Sequence, residues 1–315
     1  MKKVLLIIIF LVAVAVLFII PVNRTETMPI NVPFFKAYKQ LLLPRKWAEW
    51  HPEIKTDFTT DSNKVSFITK PDGYSVNTPN TSIEVHETAS SFAIKQQGIS
   101  GDHAYVITVA PGKTVNETEL IVAEHISIAG YLVGYFSKNP FQYSGAAQFK
   151  NFLENDDLFY GYHIYRTTVP SPDLLVIRKR VAKTNEFLAA DSSFNELKSF
   201  ALITGVTKVA PVIAQFIPVG TDSMMVNVGI YINKPLQNSG HILYSKMIKD
   251  GPLFAADYSG SFEKRLQAHE ALKKYFADHA MEIPVLPFES YLDDKLPSSS
   301  NSPVKIRINY TTFSN

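Results

Sequence analysis

The feature that most constrains this chain is an apolar run close to its start. Two lysines precede 19 uncharged residues, Val4 to Val22, and a helix needs roughly 17 to 25 apolar residues to cross a bilayer. A cleaved signal peptide is the alternative, but its apolar core is normally about 7 to 15 residues long and ends in a small-residue site, which this run lacks. The run therefore predicts an uncleaved transmembrane anchor at 1–23.

The charges on either side of this run predict an orientation. Lys2 and Lys3 outweigh Arg24, and positively charged flanks tend to stay in the cytoplasm. We therefore expect a single-pass protein of the cell membrane, with a short cytoplasmic N-terminus and an extracytoplasmic remainder. The membrane is then a partner through the N-terminal helix.

Composition excludes several classes of protein. A length of 315 residues favours two domains, and a net charge of +2 gives no electrostatic footprint for nucleic acid. The absence of cysteine excludes disulfides and cysteine-bound zinc. The eight histidines show no H-x-x-x-H pair, and no glycine-rich phosphate loop is present. We predict no metal site, no cofactor and no nucleic-acid partner; the sequence does not indicate a protein partner.

The N-terminal half alternates between helical and strand-like patterns. Apolar residues recur at helical spacing from Phe34 to Leu42, and short stretches rich in Val, Ile, Thr and Tyr follow from 64 to 136. Phe149, Phe152 and Leu153 then lie on one face of a closing helix. These patterns predict a domain at 24–159, built from an antiparallel meander between helices.

The C-terminal half repeats one order of elements twice. A strand, a helix and two strands are predicted in each copy, which indicates an internal duplication within a domain at 160–315. Ser193 and Glu196 have the spacing of a capping box that opens the first helix, and Gly205 can end it. The second helix is predicted at 261–280. The whole chain is therefore predicted to be α+β.

Two resemblances support this division. The stretch 27–161 resembles the START-like, polyketide-cyclase-like superfamily through Trp47, Trp50 and Pro52, which match its W-x-x-W-x-P step, and through QFKNFLENDDLFYG, which matches its closing helix. This resemblance implies a helix-grip fold, in which a curved antiparallel sheet holds a long C-terminal helix around a hydrophobic cavity.

The stretch 161–310 resembles the GyrI-like effector-binding domain. Gly251 to Phe262 matches its strand, glycine turn and helix start, and Pro287, Glu289 and Tyr291 match its P-x-E-x-Y signature. The resemblance implies a ligand groove between two strand-helix-strand-strand repeats.

The same resemblance implies a site for a lipophilic ligand that can be cationic. Glu289 would face the ligand from the floor of an aromatic pocket, and the candidate walls are Tyr231, Phe254, Tyr258 and Tyr291. A partly desolvated carboxylate favours a cation, and aromatic faces add a cation–π attraction of roughly 0.5 to 2 kcal/mol. No catalytic residue is assigned.

Other interpretations remain open for these residues. Glu289 can instead be bonded to a neighbouring Lys, Arg or amide, and Tyr231, Phe254 and Tyr258 can be ordinary strand packing. Glu289 with a tyrosine can also act as base and acid in water addition, which would make the protein a hydrolase. A non-catalytic scaffold or interaction protein is the third alternative, whereas a small-molecule-binding protein is the function that the resemblance favours.

Overall fold

The computed structural model describes residues 21–98, 101–129, 132, 136, 145–249 and 251–312. The chain divides into two compact units, which we call the N-terminal unit (Met1–Phe159) and the C-terminal unit (Tyr160–Asn315). Each has its own antiparallel sheet, so the described fold is α+β.

The N-terminal unit is a seven-stranded meander with helices before and after most of its strands. Its strands are β1 (Pro21–Ile30), β2 (Ser66–Lys70), β3 (Gly73–Asn77), β4 (Thr81–Thr88), β5 (Ser91–Gly98), β6 (Gly101–Pro111) and β7 (Thr118–Ser127). Its helices are α1 (Phe34–Leu42), α2 (Trp47–Trp50), α3 (Pro52–Thr60), α4 (Ala146–Glu154) and α5 (Asp156–Tyr160), the last of which contains the boundary between the units. The strand order is β1-β7-β6-β5-β4-β3-β2.

Alternating side chains and a tryptophan pair build the core of this unit. In β4, Ile83 and Val85 are buried while their neighbours are not, as the period of a strand requires. Trp47 is fully buried, and its indole Nε1 donates to the Tyr74 hydroxyl at 2.6 Å. The Trp50 ring packs 4.6 Å from the Phe149 ring of α4. The predicted closing helix therefore packs against Trp50.

The C-terminal unit is one eight-stranded sheet with two helices. Its strands are β8 (Ile164–Thr168), β9 (Asp173–Ala182), β10 (Val212–Val219), β11 (Ser223–Tyr231), β12 (Ile242–Lys246), β13 (Pro252–Ser261), β14 (Phe288–Tyr291) and β15 (Pro303–Thr311), and its helices are α6 (Glu186–Thr204) and α7 (Leu266–Asp278).

The strand order in this sheet is β12-β9-β11-β10-β14-β15-β13-β8. When β9, β10 and β11 are exchanged for β13, β14 and β15, and β12 for β8, the order is the same from either edge. The duplicated order of elements in the sequence is therefore also a spatial repeat. The strands β8 and β12 exchange partners, since each pairs with the first long strand of the other repeat.

Both helices of this unit pack on one face of the sheet, which we call the helix face. α6 contacts β9, β10 and β11, whereas α7 contacts β13 and β15. We call the opposite face the cavity face. Because successive side chains of a strand point to opposite faces, each strand contributes to both.

The capping-box interpretation of Ser193 and Glu196 is wrong. α6 begins at Glu186, so both residues lie inside the helix, and Ser193 is 1% exposed. The helix starts one short turn after β9 ends, and its buried face determines where it packs. Its predicted end is confirmed, since Gly205 caps the helix in the left-handed conformation at φ +65°.

The predicted transmembrane helix is also wrong for the part of the chain that the structure describes. No helix there is long and apolar enough to cross a membrane. Most of the predicted anchor, 1–20, lies outside the described residues. Its end does not continue as a helix, because Pro21 and Val22 begin β1 and pair with Ser127 and Ile126 of β7.

The longest described helix shows why none qualifies. α6 has 19 residues but carries four charged side chains, Glu186, Asp191, Glu196 and Lys198, and each charge inside a bilayer is costly. Three expectations are therefore wrong. They are the fold with an N-terminal transmembrane helix, the single-pass membrane location with an extracytoplasmic remainder, and the membrane as a partner.

Candidate functional site

A cavity of about 710 Å³ opens on the cavity face of the C-terminal unit. Its apolar lining comes from five strands or the segments that precede them, and includes Leu174, Val176, Ile213, Leu253, Leu286 and Phe288. Ligand pockets in proteins typically have roughly 300 to 1,000 Å³ and a mostly apolar lining with a few polar groups. The size and lining of this cavity fall in that range.

Two buried polar atoms in the cavity lining have no hydrogen-bond partner among the described residues. They are the side-chain oxygens of Asn227 in β11 and Thr311 in β15. An unpaired buried acceptor costs roughly 1 to 3 kcal/mol. The cavity lining therefore contains two polar atoms whose hydrogen bonding is incomplete among the described residues.

Glu289 lies on the other side of the sheet from this cavity. It is in β14, paired with β10 and β15, and is 4% exposed on the helix face. Tyr291 lies on the same face, whereas Phe288 lies on the cavity face and lines the cavity. This is the alternation that a strand dictates, and it separates Glu289 from the cavity.

Three side chains contact the carboxylate of Glu289, two of them from α7 and the residue just before it. Arg265 Nε, just before α7, donates to Glu289 Oε1 at 2.6 Å, and His269 Nε2 lies 3.1 Å from the same oxygen. The Tyr291 hydroxyl donates to Glu289 Oε2 at 2.6 Å. Both carboxylate oxygens are thus occupied, and His269 Nδ1 is 3.1 Å from the Tyr310 hydroxyl.

The electrostatics of this cluster favour a charged Glu289. Burial alone would raise the pKa of its carboxyl, but the hydrogen bond from His269 and the charge of Arg265 outweigh it, and the pKa is lowered. Burial, and then the carboxylate of Glu289, raise the pKa of Tyr291 well above its usual value. Glu289 is therefore a carboxylate in a buried ion pair, the arrangement kept open above as the alternative to ligand binding.

Arg265 also contacts Phe262, the residue three positions before it in the chain. Its guanidinium lies 3.3 Å from the centre of the Phe262 ring, and Nη1 donates to the Phe262 carbonyl at 2.8 Å. The charge of Arg265 also acts on Glu186 of α6. Burial raises the pKa of Glu186, and the charges of Lys183 and Arg265 oppose that rise.

The other predicted site residues are scattered. Phe254 lies on the helix face, its ring 5.6 Å from Tyr275 and 5.7 Å from Phe276 of α7. Tyr258, partly buried on β13, donates to the Ser261 carbonyl at 2.8 Å.

Tyr231 is buried on the cavity face in a cluster that includes Ile213 and Phe288, and its hydroxyl lies 3.3 Å from Met247 Sδ. Of the five predicted residues, only Glu289 and Tyr291 are joined by a hydrogen bond. None of the five belongs to the described lining of the cavity.

The sequence interpretation missed the residues that give the cavity its polar wall. Gln215 and Asn227 each interrupt an otherwise apolar strand, and the register pairs them with one another across β10 and β11. A single amide within each apolar run was the available signal. Among the described residues, no group of three His, Cys, Asp or Glu side chains could hold a metal ion.

Comparisons with known proteins give similarities of fold at low identity. No family model matches the sequence, and no curated protein matches it. The crystal structure of the EcmrR C-terminal domain matches 49% of this chain and 99% of its own, at 16% identity and a TM-score of 0.37.

Two further solved structures match parts of the chain. The EcmrR–DNA complex matches over 60% of this chain and 78% of that one, at 13% identity and a TM-score of 0.40. CalU16 from Micromonospora echinospora matches over 42% of this chain and 65% of its own, at 13% identity and a TM-score of 0.28. Similarity at this level gives no information about a ligand or an activity.

Proposed function

We propose that the C-terminal unit binds a small lipophilic molecule in the cavity on its cavity face. The observation that carries this proposal is the cavity itself, about 710 Å³ with a largely apolar lining and two buried polar atoms without described partners. The resemblance of this half to GyrI-like effector-binding domains supports it, as does the apolar wall formed by Val176, Ile213 and Phe288. The N-terminal unit is proposed to be a START-like domain.

Glu289 has a structural role in this proposal. A carboxylate whose two oxygens already accept from Arg265 and Tyr291 gains little from a further cation, and it does not line the cavity. The same geometry leaves the hydrolase alternative without a favouring observation, because the base and the tyrosine it would use face away from the space in which a substrate would bind.

A cavity-filling substitution tests this function. We expect the full-length chain to bind the neutral dye N-phenyl-1-naphthylamine saturably, with a rise in dye fluorescence. Val176→Phe should weaken the affinity at least about tenfold, equivalent to about 1.4 kcal/mol, because the added ring occupies the space next to Ile213. Far-UV circular dichroism checks that the variant is folded.

Leu202→Phe is the matched control. It is the same kind of enlargement on the outer face of α6, where Leu202 is 83% exposed, and it should leave dye affinity unchanged. Absence of saturable binding, or equal affinities for the Val176→Phe and Leu202→Phe variants, would overturn the proposed function.

A further inference from the structure

A row of polar side chains crosses one end of the cavity. Arg178 of β9 is the register partner of Asn227 in β11, which in turn is the partner of Gln215 in β10. All three line the cavity. Two residues further along the same strands, the next row on this face is Val176, Gly229 and Ile213. The cavity lining therefore changes from polar to apolar over two residues of each strand.

Backbone carbonyls fix the direction of the amide hydrogen bonds in this row. Gln215 Nε2 lies 3.1 Å from the Leu286 carbonyl and 3.0 Å from the Pro287 carbonyl, and only an NH₂ group can donate to both. Gln215 Oε1 therefore faces Asn227, whose Nδ2 donates to it at 2.8 Å.

The side-chain oxygen of Asn227, a residue of the cavity lining, is consequently the unpaired end of this row. Asn227 Oδ1 is buried and has no hydrogen-bond partner among the described residues. Because the carbonyls before β14 determine both amide orientations, rotating the Asn227 amide would place its oxygen against Gln215 Oε1, with two acceptors facing one another. The unpaired atom at the end of this chain of hydrogen bonds, Asn227 Oδ1, is thus an acceptor. A ligand can form a hydrogen bond with it only through an O–H or N–H group.

The charges around the cavity restrict the ligand further. Arg178, Lys246 and Lys249 line it, and no Asp or Glu does so among the described lining residues. Like charges disfavour one another when they are brought close together. A lipophilic cation, the ligand that the motif around Glu289 implied, would meet three positive charges here and no described carboxylate.

We propose that the cavity selects a neutral or acidic lipophile that carries a hydroxyl or N–H donor, and discriminates against lipophilic cations. The donor binds Asn227 Oδ1, the apolar body packs against Val176, Ile213 and Phe288, and an acidic group is held by Arg178. This inference rests on the proposed function and adds to it the chemical class of the ligand.

Three pyrene probes with the same ring system test this selectivity on the full-length chain. 1-Pyrenemethanol has a donor, its methyl ether has none, and 1-pyrenemethylammonium is a cation. We expect the alcohol to bind about tenfold more tightly than the ether, the fold-change of one hydrogen bond to a buried acceptor. The ammonium should also bind more weakly than the alcohol, and this gap should narrow at high salt and in Arg178→Gln, because exposed charges are screened.

Asn227→Leu removes the acceptor and should bring the alcohol and the ether within about twofold of one another. Ser245→Ala also removes a polar atom from the lining but leaves the polar row intact, so it should keep the wild-type ratio. The proposed function itself fails if no probe binds, or if Val176→Phe weakens none of them. If the probes bind but the ether equals the alcohol, or the ammonium binds most tightly, this inference alone is overturned.

Discussion

Replacing Arg265 by Met is expected to lower the free energy of unfolding of the C-terminal unit by about 3 to 5 kcal/mol. The substitution leaves Glu289 charged and 4% exposed on the helix face, with His269 and Tyr291 as its remaining partners. Glu289→Gln should cost a similar amount, since it leaves the Arg265 guanidinium buried against Phe262. In the Glu289→Gln variant, Glu186 can only partly replace the negative charge that Arg265 has lost.

The double variant Arg265→Met, Glu289→Gln separates the ion pair from simple loss of packing. Removing both charges leaves no isolated buried charge, so the double variant should be clearly more stable than the sum of the single losses predicts.

The lowered pKa of Glu289 gives the expected pH dependence of the wild-type chain. The contribution of Glu289 to the free energy of unfolding is present at neutral pH. It is lost as the pH falls through the pKa of the folded state, which lies below the ordinary Glu range.

Urea unfolding measures these changes with an internal reference. The two tryptophans of the chain are Trp47 and Trp50, so tryptophan fluorescence follows the N-terminal unit, while far-UV circular dichroism follows both units. A dichroism transition that fluorescence does not show belongs to the C-terminal unit. Only the urea midpoint of that transition should shift in the variants. Glu270→Gln is the control, because its pair with Lys273 lies on the exposed side of α7 and such pairs are worth at most about 1 kcal/mol. Equal small effects for all variants would contradict a buried ion pair.

Acidification from pH 6.5 to pH 4 is expected to destabilise the N-terminal unit through one histidine. His51 is 2% exposed, and its ring packs against the rings of both Trp47 and Trp50. Burial lowers its pKa to about 4, against the opposing effects of Glu53 and of a hydrogen bond with Gln96. The unfolded chain therefore takes up the proton first, and the stabilisation is complete above the unfolded pKa near 6.5 and is lost as the pH falls toward about 4.

The size of this loss follows from the shift. Each pKa unit is worth about 1.4 kcal/mol, so the protonation of His51 removes about 3 kcal/mol once the pH is below the folded value. Tryptophan fluorescence during urea unfolding at several pH values measures it. His51→Gln should flatten the pH dependence. An unchanged slope in His51→Gln would rule out His51 as the titrating group.

Local patterns in the sequence predicted much of the fold. Short stretches rich in Val, Ile, Thr and Tyr located the region of β2 to β7, and Gly205 marked the end of α6, where the backbone is left-handed. Helix starts were harder, since Ser193 has the spacing of a cap but is buried by the packing of α6. The predicted anchor failed at its described end because the strand pairing of Pro21 and Val22 depends on β7, more than 100 residues away.

The site was predicted only in part for a similar physical reason. Strand alternation places Glu289 and Tyr291 together and Phe288 opposite, but it does not say which face the helices cover. That depends on where α6 and α7 pack, and their packing brings Arg265 and His269 to Glu289. The polar row on the other face requires the register of three strands, which no local pattern in β9, β10 or β11 reveals.

We expect the ligand to bind on the cavity face, whereas Glu289 belongs to a structural ion pair on the opposite face. A crystal structure of the full-length chain with 1-pyrenemethanol tests it most directly. We expect density for the pyrene ring against Val176, Ile213 and Phe288. The hydroxyl should lie at hydrogen-bond distance from Asn227 Oδ1, and the bond between Arg265 and Glu289 should be intact. A pyrene bound against Glu289 with Arg265 displaced would contradict it.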